Sequence, residues 1–171
     1  MKILICGDVV GRSGRKVIEE KIPILRRKEK LKFVIINGEN AASGFGITKK
    51  ICNSFYQSGV DVISSGNHIW DQKEVLSFIN EDERLLRPQN FPENCPGKGY
   101  GIYRIEGRNI VVINILCRLF MDTVDDPFRI LENTINKIND RYKDSITIVD
   151  VHGEATSEKM AIGHFLDGKV S

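Results

Sequence analysis

Asp8, Glu39, Asn40, Asn67, His68 and His152 stand just past the ends of short apolar runs, and glycine precedes several of them: Gly7 before Asp8, Gly38 before Glu39, Gly66 before Asn67. Two carboxylates, two carboxamides and two imidazoles make a mixed oxygen and nitrogen donor set. Such a set suits manganese, iron or zinc, and it lacks the thiolates of a structural zinc site. Glycine beside a ligand lets the backbone turn sharply and side chains crowd one ion. Each residue taken alone has an ordinary structural use, Asp8 as a turn or helix cap, Asn67 in an Asx turn, His68 in a loop and His152 bonded to backbone. Turn caps, however, have no reason to recur after glycine at the same end of several strands. His164, with no motif around it, is left without a role.

The elements that would position these residues follow from the hydrophobic pattern. Ile3 to Cys6 and Phe33 to Ile36 read as buried strands, and Val17, Ile18, Ile22, Ile24 and Leu25 recur between them at helical spacing. Pro23 is expected to kink that helix or start a second turn. Thr48 can cap a helix through Tyr56, with Gly59 closing it, and Val60 to Ile63 is the next strand. Repeated strand–helix–strand units imply a parallel sheet, whose carboxyl ends form the ligand crevice. A short helix is expected over 73–80 and a loop over the Pro- and Gly-rich 88–101. A hairpin over 100–116 adds antiparallel strands and makes the sheet mixed. A helix from Asp125 or Asp126 with Pro127, a strand over 146–151 and a helix from Ser157 to Gly168 follow.

The chain has 171 residues, 41% hydrophobic and 28% charged, in the range of globular proteins and long enough for one core. Residues 1–171 are therefore read as a single domain. With 25 Lys and Arg against 23 Asp and Glu, there is no footprint for general nucleic-acid binding or a membrane surface. The four cysteines are scattered with no C-x-x-C pair, so they are read as thiols, Cys6 in the core. The run after Lys2 meets Asp8 too soon for a signal peptide or membrane span, which makes cytoplasm the expected compartment. Gly7, Gly11 and Gly14 fit neither dinucleotide nor P-loop spacing. Arg12, Arg15 and Lys16 can meet a phosphate or stand as a solvated helix start.

Gly7-Asp8-Val9-Val10-Gly11-Arg12-Ser13-Gly14-Arg15, Asn37-Gly38-Glu39-Asn40-Ala41-Ala42, Gly44-Phe45-Gly46-Ile47-Thr48, Gly66-Asn67-His68, Trp70-Asp71, Leu86-Arg87-Pro88 and the segment from His152 to Lys159 together resemble the YmdB-like bacterial metallophosphoesterases. The resemblance runs in order along the whole chain. It implies a calcineurin-like α/β sandwich, two mixed β-sheets flanked by helices, with two divalent metal ions at the strand ends, iron or manganese first and zinc accepted. Position by position, it makes Asp8 and Asn40 ligands of one metal, Glu39 the bridge, Asn67 and His152 ligands of the second, and His68 the proton donor. Asp8 is followed by Val9 and Val10 where the broader superfamily has Asp-x-His, and by resemblance to the YmdB-like subfamily Asn40 supplies the missing ligand. The implied activity is phosphodiester hydrolysis by a metal-activated hydroxide, with 2′,3′-cyclic nucleotides as the substrate class and the phosphodiester as the small-molecule partner.

The resemblance also implies a further strand and a His-x-His motif, one imidazole for each metal, past the position of Ser171. The domain is accordingly expected to be incomplete at its C-terminal side, and this chain by itself to bind metal weakly and turn over little substrate. The competing reading is a non-catalytic phosphate- or nucleotide-binding regulatory module without a complete metal centre. An interaction scaffold would instead present an exposed apolar sheet edge. A homo-oligomer is compatible with the sequence, which carries no signal for it.

Overall fold

The computed structural model describes residues 1–171 as two three-stranded sheets packed face to face, with helices on both outer surfaces. The elements are β1 (Ile3–Asp8), α1 (Gly11–Lys28), β2 (Phe33–Asn37), α2 (Lys49–Gln57), β3 (Val62–Ser64), β4 (Tyr100–Ile105), β5 (Arg108–Leu116), α3 (Pro127–Arg141), β6 (Ile146–His152) and α4 (Thr156–Leu166), with 3₁₀ turns over Asn67–Trp70 and Lys73–Ser77. The first sheet, in order β1-β2-β3, is parallel throughout. The second, β4-β5-β6, is mixed: β4 pairs antiparallel with β5, and β5 parallel with β6. The antiparallel strands thus form a separate sheet and do not extend the parallel one.

Three apolar layers hold this arrangement. Alternate residues of a strand face opposite sides, so a strand buried on both faces needs an unbroken apolar run. In β2, Val34 and Ile36 pack outward with Ile18, Ile22, Cys52 and Phe55 of α1 and α2. Phe33 and Ile35 face inward to meet Ile110 and Val112 of β5 across the sandwich. The opposite face of β5, Val111, Ile113 and Ile115, packs on Leu131, Ile135 and Ile138 of α3 and Ile162 and Leu166 of α4. Burying one such side chain contributes about 1.5–3 kcal/mol, so the central strands carry much of the stability.

The local signals behave as chemistry dictates, with informative exceptions. Thr48 Oγ1 accepts the Ile51 N–H at 3.3 Å, and Gly59 takes the left-handed conformation just beyond α2. Asp126 caps α3 with Pro127 in its first turn. Pro23, by contrast, sits inside an α1 that runs unbroken from Gly11 to Lys28. Ile18 and Ile22, anchored in the core, carry the helix past it. Residues 73–77 form a 3₁₀ turn where a helix over 73–80 is expected, because the Ser77 hydroxyl bonds back to the Glu74 carbonyl and Phe78 N–H to that of Val75. Cys6 is only half-buried, packed against the edge of the first core layer. The last residues lie beside β6, where Ser171 N–H donates to the Thr147 carbonyl at 2.9 Å. No helix is long and apolar enough to cross a membrane.

Candidate functional site

The parallel sheet directs the carboxyl ends of β1, β2 and β3 to one edge, and β6 brings His152 to the same place from the second sheet. Asp8 is the last residue of β1 and His152 the last of β6, while Glu39 lies two residues past β2. Gly7 falls in a register shift between Cys6 and Asp8, a bulge that offsets Asp8 at the strand end. Ligand atoms of Asp8, Glu39 and His152 lie within 4.8 Å of one another.

Glu39 is the centre of the cluster and only 1% exposed. His152 Nε2 lies 2.9 Å from its Oε1, the Asn40 amide donates to the same oxygen at 3.2 Å, and the His68 backbone N–H donates to Oε2 at 3.2 Å. Asn40 also donates to Asp8 Oδ2 at 3.4 Å, and His152 Nδ1 is 3.8 Å from Asp8 Oδ1. No lysine or arginine pairs with either carboxylate. Burial would pull the His152 imidazole down, but the bond and charge of Glu39, reinforced by Asp8 and Asp150, outweigh it and push its pKa above the ordinary value. The acidic surroundings that favour a proton on His152 would favour a bound cation as well.

This donor set fits a divalent ion. Oxygen and nitrogen ligands sit about 2.0–2.2 Å from such an ion, so donors already gathered this closely need only small side-chain movements to converge. Two acidic groups with no fixed cationic partner also gain from it electrostatically.

Of the expected residues, Asp8, Glu39, Asn40 and His152 are joined by direct contacts, and His68 reaches the group through its backbone. Asn67 opens the 3₁₀ turn beside them, yet its carboxamide bonds to none of the other five. His164 is exposed on α4, outside the cluster. The three preceding glycines do different work. None has positive φ. A Cβ on Gly66 would collide with Glu39 Oε2 and the His152 ring, and one on Gly38 would press on Ile63 and Ile47, whereas Gly7 has open space around it. Close approach, and not a sharp turn, is what the cluster takes from Gly66.

Several supporting residues are assigned no role from the sequence. Asp71 Oδ2 lies 2.7 Å from His68 Nδ1, fixing the ring and leaving Nε2 as the nitrogen open to act, and Phe45 stacks edge-on against it at 4.9 Å. Beneath the cluster, polar groups stitch the sheets together. Ser64 on β3 hydrogen-bonds Asp150 on β6, Ser65 N–H donates to Asn114 Oδ1 at 3.1 Å, and the Asn37 amide lies 3.4 Å from His152 Nδ1. Burial pushes the Asp150 carboxyl up, against the opposing bond from Ser64.

The family model described as YmdB-like protein matches residues 4–171. The chain is 47% identical over 171 residues to the 2′,3′-cyclic-nucleotide 2′-phosphodiesterase of Bacillus subtilis strain 168, covering all of this chain and 64% of that protein. A crystal structure of a hypothetical protein from Thermus thermophilus superposes with a TM-score of 0.91 at 40% identity, covering 100% of this chain and 65% of that one. That of a phosphatase from Mycoplasma pneumoniae superposes with a TM-score of 0.88 at 32% identity, covering 100% and 62%. The chain thus spans less than two thirds of the length of these relatives. Its two sheets with outer helices are the architecture of the calcineurin-like metallophosphoesterases.

Proposed function

Because the chain belongs to the YmdB-like family, we propose that it carries the metal-binding and proton-transfer groups of a phosphodiesterase acting on small phosphodiesters, 2′,3′-cyclic nucleotides among them. The observation that supports this most is the gathering of Asp8, Glu39 and His152 at one strand-end edge with their ligand atoms within 4.8 Å. The substrate class rests on the name of the Bacillus subtilis relative.

Asp8, Glu39 and His152 would hold the metal, with Glu39 at the centre of the group. Asn40 now donates to both acids; a half-turn of its amide presents Oδ1 and adds a neutral oxygen donor. Asn67 would join through a side-chain rotation from its place beside Gly66. The oxygen-rich set favours manganese or iron, with zinc accepted. When bound, the metal supplies Lewis acidity, drawing charge from phosphoryl oxygens and acidifying water.

The chain's own residues provide the rest. Glu39, buried and bonded on both oxygens, is held in one orientation. His68 Nε2, with Nδ1 fixed by Asp71, would give its proton to the leaving oxygen, as imidazole can near neutral pH. The test is hydrolysis of 2′,3′-cyclic AMP and of bis(4-nitrophenyl) phosphate, in manganese, by the chain and by the longer protein if its reading frame continues. His68→Ala should keep the metal content and lower kcat by about 10²–10⁴-fold. The loss should be smaller with the nitrophenyl ester, whose leaving group departs as a stabilised anion. Loss of metal in His68→Ala, or equal losses on both substrates, would remove the proton-donor role. Absence of hydrolysis by both proteins would overturn the enzyme reading.

A further inference from the structure

Leu86-Arg87-Pro88 has no part in the metal cluster, and its arginine is the most deeply buried in the chain. Arg87 is 5% exposed, and no carboxylate pairs with it. Nε donates to the Pro96 carbonyl at 3.1 Å and Nη1 to that of Pro88 at 2.7 Å. A guanidinium carries five N–H donors, so others are left without a protein acceptor. Burial pulls its pKa below the ordinary arginine value, against an opposing contribution from Cys95.

What the side chain faces is a cavity of about 590 Å³ along β4, the edge strand of the second sheet farthest from His152, and it shares no residue with the metal cluster. Arg84, Lys98, Glu83, Tyr100 and Tyr103 also line it. Arg84 stacks on Tyr56 at 3.8 Å and spends Nε and Nη2 on the carbonyls of Asp61 and Val60. Lys98 is neutralised by Glu83 at 2.9 Å. The nearby Asp82 is occupied by the Tyr56 hydroxyl and the Arg84 backbone N–H. Asp82 and Glu83 thus stand against Arg84 and Lys98, and the Arg87 guanidinium is left without a carboxylate at a cavity with tyrosine walls.

We propose that this cavity is a binding site for a phosphate monoester of about nucleotide size, with the phosphate on Arg87 and Arg84 and the organic part against Tyr100 and Tyr103. A phosphate supplies the anion that Arg87 lacks, and arginine's planar fork suits its oxygens. The volume lies within the usual range for small-molecule sites, roughly 300–1,000 Å³. A role limited to pinning the 88–97 loop would account for the bonds to Pro88 and Pro96, but not for a guanidinium without a carboxylate partner lining the cavity.

The experiment uses the chain stripped of metal with EDTA, titrated with 5′-AMP and with inorganic phosphate, and read by calorimetry and by amide NMR. Saturable binding of 5′-AMP is expected, stronger than that of phosphate, with shifts at Gly99 and Gly101. Arg87→Gln should weaken it about tenfold or more, the effect of losing a charged hydrogen bond. Should Arg87→Gln fail to fold for want of its loop contacts, Arg84→Gln, which does not touch Pro88 or Pro96, should weaken binding similarly. The wild-type NMR map depends on no variant. Absence of saturation, shifts confined to residues around Glu39 and His152, or unchanged affinity in a folded Arg87 or Arg84 variant would overturn the proposal.

Discussion

The two sheets contribute to the strand-end cluster very unequally. The first sends Asp8, Glu39, Asn40, Asn67 and His68 there, and the second sends His152 alone. The cause is strand direction. Parallel strands all release their chains at one edge, so three successive loops arrive together. In the second sheet β4 runs against β5 and carries its carboxyl end away, which leaves β5 and β6 to reach that edge. The single imidazole is nonetheless central, because its Nε2 lies 2.9 Å from the buried Glu39 carboxylate. A site assembled this way depends on the seam between the sheets as much as on the ligands.

Breaking the seam at its tightest point should have the largest effect. Gly66→Ala places a methyl group against Glu39 Oε2 and the His152 ring. Overpacking of this kind costs about 1–3 kcal/mol, and the melting temperature should fall by about 2–4 °C for each kcal/mol. Gly7→Ala, with nothing nearby, should stay within about 0.5 kcal/mol. Equal melting temperatures in calorimetry would show that Gly66 is not the closest point of contact.

A smaller effect should come from beneath the cluster. Ser64→Ala removes the donor to the buried Asp150 and with it one link between β3 and β6. The expected loss is about 0.5–1.5 kcal/mol by urea unfolding, the net worth of one hydrogen bond. A change within error would mean that the sheets are held by their apolar faces alone.

How much of this was legible in the sequence depended on whether the cause was local. The apolar runs at Phe33 and over 109–116 announced strands, and Thr48, Gly59 and Asp126 marked helix ends through bonds made within a few residues. The glycines before Asp8, Glu39 and Asn67 were visible too, but their reason was not. Gly66 is required because Glu39 and His152, distant in sequence, pack on its Cα. Nor did spacing reveal the Ser64 to Asp150 bond, or distinguish Asn40, in contact with both acids, from Asn67, in contact with neither. Pro23 misled for a similar reason, since tertiary packing of Ile18 and Ile22 overrides its local effect.

The smallest expected effect sets the outer layers side by side. Cys52 packs in the helical layer of the first sheet and Cys117 in that of the second, both fully buried. Burial pushes the Cys117 thiol up to about 11 and Cys52 further still. Both therefore stay protonated in the folded chain after an unfolded thiol, at about 8.5, has ionised. The unfolded state then binds fewer protons, so stability should fall as pH rises from about 8.5 to about 11 and beyond. Cys52→Ala and Cys117→Ala should each flatten part of that slope in thermal unfolding across this range. An unchanged slope in both would place its origin elsewhere.

The claim that both sheets are needed to hold a cation is tested most directly by titrating the metal-free chain with Mn²⁺ and reading free ion by electron paramagnetic resonance. The account predicts weak but saturable binding that is lost alike in Glu39→Gln, from the first sheet, and His152→Ala, from the second. Binding that survives His152→Ala while Glu39→Gln abolishes it, or no saturable binding to the wild-type chain, would contradict it.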